Sequence, residues 1–155
     1  MYFALPQIQD EDRVQLMSTD VFTDVTRCDG EQKTVRVVEG HLLVCKGCCC
    51  GNTERSIPAV PVDTFKREWK DRGIRRRVHL SISACLGPCA VANVVLLVFH
   101  GSTVWFHSIN SDEDVIEIYN FIERLLATGD FRLPSGPLTE KVFQRYSSDA
   151  VCAVT

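Results

Sequence analysis

From residue 34 onward the apolar positions fall into short runs separated by turn residues, a pattern of strands and amphipathic helices. Val35, Val37 and Val38 lead to Glu39-Gly40, and the run His41-Leu42-Leu43-Val44 then reads as a strand that ends directly on Cys45. Residues 45–61 hold two glycines and two prolines among few apolar side chains, which predicts a loop. Asp63 is placed to cap a helix starting near Thr64, with Phe65 and Trp69 on its buried face and Gly73 at its end. Between Arg77 and Ser83 the apolar Val78, Leu80 and Ile82 alternate with polar neighbours, as in a half-buried strand, and this strand ends beside Cys85.

The continuous apolar run Val94–Phe99 suits a central strand, and His100-Gly101-Ser102 turns it into Thr103–His107 to make a hairpin. Ser111 followed by Asp114 predicts a capping box, after which Val115, Ile118, Tyr119, Ile122, Leu125 and Leu126 recur at helical spacing until Gly129. Residues 1–34, polar and acidic with a turn at Asp29-Gly30, read as an irregular N-terminal extension. Residues 130–155, punctuated by Pro134, Gly136 and Pro137, read as a tail wrapping the domain. The expected fold of residues 35–129 is an α/β sandwich of β-α-β-β-α order with one mixed sheet. A right-handed β-α-β crossover makes its first two strands parallel, so the cysteine loops that follow them meet at one sheet edge.

The chain of 155 residues is 45% hydrophobic and 24% charged, which fits a single domain with a core able to fold without staples. A net charge of −3 and a pI near 5.8 exclude a global pull toward nucleic acid or an anionic membrane. The N-terminus lacks a signal-peptide pattern and no stretch approaches the roughly 20 apolar residues of a membrane span, so the expected compartment is the cytoplasm. Eight cysteines are many for a reducing compartment, where clustered thiols bind metal or perform redox chemistry.

Six of them lie in two segments, Cys45, Cys48, Cys49 and Cys50 in the first and Cys85 and Cys89 in the second. A C-x4-C pair with a distant C-x3-C pair supplies four thiolates, enough for two sulfide-bridged irons with two sulfurs each. Gly47, Gly51 and Gly87 allow tight turns that leave backbone amides free to donate to sulfur. Two other chemistries use overlapping residues. Cys45 and Cys48 with Cys85 and Cys89 are also acceptable ligands for a tetrahedral structural zinc. Cys45-Lys46-Gly47-Cys48 has the form of a thiol–disulfide motif, but more than ten loop residues separate it from the helix whose N-terminus would acidify it. Cys28 and Cys152 stand apart, as isolated cysteines of the kind that pack as small hydrophobes, and His41, His79, His100 and His107 have no ligand spacing.

Cys85-Leu86-Gly87-Pro88-Cys89, the C-x4-C pair ahead of it and the apolar hairpin and closing helix after it resemble the thioredoxin-like [2Fe-2S] ferredoxins and the related small cluster subunit of respiratory NADH dehydrogenase. The resemblance spans Leu42 to Leu126. It implies a [2Fe-2S] cluster on Cys45, Cys50, Cys85 and Cys89, a non-enzymatic one-electron carrier and a homodimer. The chain departs from that family in reading Cys48-Cys49-Cys50 where one ligand is expected, so Cys48 or Cys49 can stand in for Cys50. The run Val44-Cys45-Lys46-Gly47-Cys48-Cys49-Cys50-Gly51 with Val60-Pro61-Val62-Asp63 also resembles ferredoxin-type proteins associated with cobalt insertion in cobalamin biosynthesis. The rival role for such a cluster is a redox-sensing or accessory module.

Lys66, Arg67, Lys70, Arg72, Arg75, Arg76 and Arg77 outnumber Glu68 and Asp71 around the first helix. They read either as a solvated face or, around Lys66, Lys70, Arg75 and Arg76, as a docking patch for an acidic redox partner, whether a reductase or a cobalt-chelatase-type enzyme. The patch is short and lacks interleaved aromatics, which argues against nucleic acid.

Overall fold

The computed structural model describes residues 20–147, and the chain divides after Val38 into two compact units. In the first, β1 (Val21–Thr26) pairs antiparallel with β2 (Gln32–Val37). Residues 21–34 of the stretch expected to be irregular therefore belong to a hairpin, and residues 1–19 lie outside the described residues. Its turn is the Asp29-Gly30 signal: Gly30 adopts φ 83°, and the Asp29 carboxylate accepts the Glu31 N–H at 3.0 Å. β-Branched residues at 21, 23, 25, 26, 34, 35 and 37 favour the extended backbone. The strands escape a pattern reading because both of their faces are exposed, so no polar–apolar alternation marks them.

The second unit is built on a five-stranded mixed sheet of order β4-β3-β5-β6-β7. β3 (Gly40–Cys45) continues through α1 (Val62–Asp71) into β4 (Val78–Ser83), parallel to β3 with Cys45 opposite Ser83. β5 (Val95–Phe99) lies antiparallel on the other side of β3, and β6 (Ser102–Phe106) forms the expected hairpin with it. α2 (Asp112–Thr128) follows, capped by the reciprocal Ser111–Asp114 box and stopped by Gly129 at φ 73°. The β-α-β-β-α order and the mixed sheet are as the sequence predicts.

Two local expectations change. α1 begins at Val62 after Pro61, and Asp63 sits in its first turn without capping it. Pro61 occupies the N-cap with no side-chain cap bond, and its carbonyl accepts the Phe65 N–H at 3.1 Å, the first hydrogen bond of the helix. Part of the stretch expected to be a tail joins the sheet. A 3-10 turn at Gly136–Lys141 delivers β7 (Val142–Phe143) to the free edge of β6, and the Lys141 Nζ lies 2.7 Å from the Asp114 carboxylate.

Alternation along the strands gives the sheet two different faces. Leu42, Val44, Val78, Val95, Leu97, Phe99, Val104 and Phe106 pack against Phe65 of α1 and Val115, Ile118, Tyr119 and Ile122 of α2. Each such side chain contributes about 1.5–3 kcal/mol on burial. The buried Tyr119 hydroxyl donates to the Phe65 carbonyl at 2.8 Å and ties the helices together. On the opposite face Cys45, Val94, Leu96 and Trp105 form a second cluster with Cys50.

Glu39 and Arg77 pin the start of the parallel pair. The Arg77 guanidinium donates to both Glu39 carboxylate oxygens, one at 2.9 Å, and to the Leu126 carbonyl at 3.2 Å, while the Glu39 N–H donates to the Arg77 carbonyl at 2.8 Å. The hydrogen bond from Arg77 holds the Glu39 carboxyl below its ordinary value of 4.5, against a smaller opposing effect of burial. A carboxylate depressed on folding adds stability that is complete above its unfolded pKa and is lost as pH falls through the folded one. Glu39→Gln is expected to melt at a lower temperature than the native chain at pH 7, and the gap should close as pH drops below 4.5, measured by circular dichroism melts across a pH series.

Candidate metal centre

Both cysteine loops leave the sheet at the C-terminal ends of the parallel strands. Cys45 is the last residue of β3, its N–H held by the Val94 carbonyl at 3.1 Å, and the next amide, that of Lys46, donates across to Ser83 of β4 at 2.9 Å. The chain then folds tightly. The Gly47 N–H meets the Cys50 carbonyl at 3.1 Å, and Cys48, between them, takes the left-handed conformation at φ 49°. Asn52 secures the loop by donating to the Cys48 carbonyl at 3.0 Å and accepting the Arg55 N–H at 3.2 Å. The second loop is tightened by the Cys89 N–H, which donates to the Gly87 carbonyl at 2.8 Å, and by a 3-10 turn over Cys89–Val91.

Six thiols thus converge on one sheet edge in a graded environment. Cys45 and Cys50 are buried, at 3% and 4% exposure, Cys49 and Cys89 are half-buried, and Cys48 and Cys85 are exposed. The Cys85 and Cys89 sulfurs lie 3.3 Å apart, and those of Cys48 and Cys49 lie 4.0 Å apart. The Cys48, Cys49 and Cys89 sulfurs all fall within 4.8 Å of one another. The Val94 N–H donates to the Cys50 sulfur at 3.4 Å, and the Arg55 guanidinium lies 3.6 Å from that of Cys49.

Burial and crowding disfavour ionisation of two of these thiols, Cys50 and Cys89. Burial and then the neighbouring Cys45 push the Cys50 thiol up to about 12, with a further contribution from Cys85. The Cys89 thiol is also pushed up to about 12, first by its contact with Cys85, then by burial and by the repulsion of Cys85, Cys49 and Cys48. Thiolates cannot gather at this separation unless a cation lies among them, and a bound metal reverses the local acidity by deprotonating its thiols outright. The donor set is all sulfur, which suits iron–sulfur clusters and zinc and not a hard cation such as magnesium. In donor chemistry and convergence the residues fit a thiolate-bound metal.

Asn93 is a residue that pattern reading missed. Only 1% exposed, it accepts the Gly51 N–H at 2.7 Å and donates to the Pro58 carbonyl at 2.8 Å and to Asn110 at 3.0 Å. It therefore joins the first cysteine loop to the segment ahead of α2. Its signal in the sequence is a lone amide directly before the apolar Val94–Phe99 run, since a polar group at a buried position has to be partnered. Gly51 is needed at that contact. Its φ is 75°, and a Cβ there would stand 3.1 Å from the Val60 side chain.

The remaining chemistry-bearing residues lie elsewhere. Cys28 is exposed in the β1–β2 turn, contrary to the expectation of a small buried hydrophobe, and Cys152 is outside the described residues. His41 bonds Ser81 at 2.8 Å and packs on the His79 ring. Burial and then the charge of His79 lower the His41 pKa. Of the basic residues around α1, Arg72 is bound to Glu68, Asn120 and Glu123, and Arg77 to Glu39. Lys66, Lys70, Arg75 and Arg76 are exposed, with Arg75 over the Trp69 ring at 5.1 Å. Because β4 starts at the sheet edge remote from its cysteine loop, Arg75 and Arg76 lie at the end of the sheet opposite the thiols.

No protein-family model and no curated protein matches the chain. It is similar to solved structures of a thioredoxin-like [2Fe-2S] ferredoxin from Aquifex aeolicus. One, of the wild type, is 18% identical over 70% of this chain and 100% of that one, with a TM-score of 0.45. A second is 19% identical over 74% and 98%, with a TM-score of 0.46. A cysteine-to-serine variant of the same ferredoxin is 19% identical over 68% and 99%, with a TM-score of 0.44.

Asn93→Ala removes three partners at once and strands the Gly51 amide. Unfolding free energy should fall by about 2–3 kcal/mol, measured by urea titration. In the metal-free chain the buried Cys50 should become reactive toward a thiol reagent, read by mass spectrometry of the labelled peptide.

Proposed function

We propose that the chain is a [2Fe-2S] one-electron carrier whose cluster is held by Cys45, Cys50, Cys85 and Cys89. The observation that supports this reading is the convergence of two cysteine loops from adjacent parallel strands, which brings the Cys85 and Cys89 sulfurs to 3.3 Å and sets Cys50 beside Cys45. When bound, such a cluster accepts and returns a single electron without making or breaking a substrate bond. The chain's own contribution is to orient and insulate. The Val94 N–H is aimed at the Cys50 sulfur, the apolar cluster of Val94, Leu96 and Trp105 backs the buried thiols, and exposed Cys85 marks the side open to solvent. Hydrogen bonds to sulfur and partial burial are the levers that set a cluster's potential.

Cys50 is preferred over Cys48 and Cys49 in this reading because it is buried beside Cys45 and already receives a backbone N–H. The mutual approach of Cys48, Cys49 and Cys89 favours a second reading, a structural zinc held from the outer side of the rim. Service to cobalt insertion in cobalamin biosynthesis is the narrower form of the carrier proposal and rests on the sequence resemblance alone, as does a homodimer. Among the described residues no helix is long and apolar enough to cross a membrane.

Anaerobic purification with iron, sulfide and zinc analysis tests the proposal. The carrier reading expects two irons and two sulfides per chain and a paramagnetic signal after one-electron reduction. Cys50→Ser should lose most of the iron, and Cys48→Ser and Cys49→Ser should retain it. One zinc per chain with no cluster on reconstitution would establish the zinc reading, and full iron in Cys50→Ser would move the fourth ligand to Cys48 or Cys49.

A further inference from the structure

Three cations stand at the cysteine rim. Lys46 directly follows Cys45 and is exposed. Arg55, exposed at the end of the 3-10 turn Thr53–Arg55, brings its guanidinium to 3.6 Å from the Cys49 sulfur. Arg145, exposed just past β7, lays its guanidinium on the second loop, with one nitrogen 2.9 Å from where a Cβ on Gly87 would stand. The three come from separate stretches of chain and are gathered by the fold. Among the described residues no carboxylate forms an ion pair with any of them. Glu54 adjoins Arg55 in sequence and offsets only part of their charge. A chain with a net charge of −3 therefore presents a locally positive rim around its thiols.

Building on the carrier reading, we propose that Lys46, Arg55 and Arg145 form the docking surface for a protein redox partner that presents an acidic patch. Electron exchange needs the partner close to the thiols, and complementary charge both steers the encounter and fixes its orientation. Guanidinium groups such as those of Arg55 and Arg145 bind carboxylates in a paired, planar geometry. The basic residues of α1 serve this less well, because that helix leads away from the cysteine edge toward Arg75 and Arg76.

The test is stopped-flow oxidation of the reduced, cluster-loaded chain by hexacyanoferrate(III) and by hexaamminecobalt(III). Each reagent removes one electron from the protein and ends as its divalent metal complex. At low ionic strength, Arg55→Glu combined with Arg145→Glu should lower the ratio of the anionic to the cationic rate by about tenfold. The pair Arg55→Gln and Arg145→Gln should lower it by less, and Lys66→Glu with Lys70→Glu should leave it within about twofold. Poly-L-glutamate, standing in for an acidic protein surface, should slow the native chain toward hexacyanoferrate(III), and inorganic phosphate at matched charge should not. A ratio unmoved by the rim variants, or moved as far by the α1 variants, overturns the surface; equal slowing by phosphate overturns the protein partner in favour of a small anion. The rim charge is also read in the metal-free chain, as the ratio of cysteine modification by dianionic dithiobis(nitrobenzoate) to that by neutral dithiodipyridine, which should fall in the rim variants. A chain that takes up neither iron nor sulfide would refute the carrier reading, and this second ratio would still decide the rim charge by itself.

Discussion

The parallel pairing of β3 with β4 is the constraint on which the rest of the structure depends. Two strands of the same direction place their C-terminal ends side by side, so Cys45 and the Cys85–Cys89 loop share one edge although residues 46–84 separate them. Parallel strands cannot be joined by a tight turn, and the crossover through α1 is the connection such a pair requires. The remote end of the pair is fixed by Glu39 and Arg77 and the cysteine end by the Lys46 amide on Ser83, so the register that aligns the two loops is held at both ends. A slip of one residue would turn Cys45 onto the helix-covered face and break the site.

That edge brings together groups that repel one another. Six thiols converge there; the helix-covered core packs without any cysteine, whereas Cys45 and Cys50 are part of the cluster on the other face. Cys50 and Cys89 are held toward the neutral thiol, and a cation placed beside them would reverse that. Asn93 and Asn52 carry much of the local organisation, binding loop backbone that the short first loop leaves without sheet partners. Second-layer partners of this kind orient ligands in metal sites as much as the ligands themselves do.

Much of this was legible in the sequence, and the rest was hidden for specific reasons. β3 and β5 show as short apolar runs, β4 and α2 as the periodicity of half-buried elements, and Ser111 with Asp114 marks a helix start whose chemistry is local. The β1–β2 hairpin was not legible, because Val21, Phe22, Val25, Val35 and Val37 are exposed and leave no alternation to read. β7 is two residues long and exists only because β6 offers a free edge, which no local pattern announces. The two cysteine pairs could be seen from spacing. The part played by Asn93 could not, since its partners Gly51, Pro58 and Asn110 lie far from it in the chain, and neither could the gathering of Arg55 and Arg145 at the rim.

The central claim is that the shared edge of β3 and β4 holds an iron–sulfur cluster on thiolates alone. X-ray absorption at the iron and zinc edges of anaerobically prepared protein addresses it directly, because it reports the metal and its neighbours together. The account predicts iron with a first shell of sulfur only and a short iron–iron path. Zinc bound by sulfur with no iron in the sample, or iron whose first shell contains nitrogen or oxygen, would contradict it.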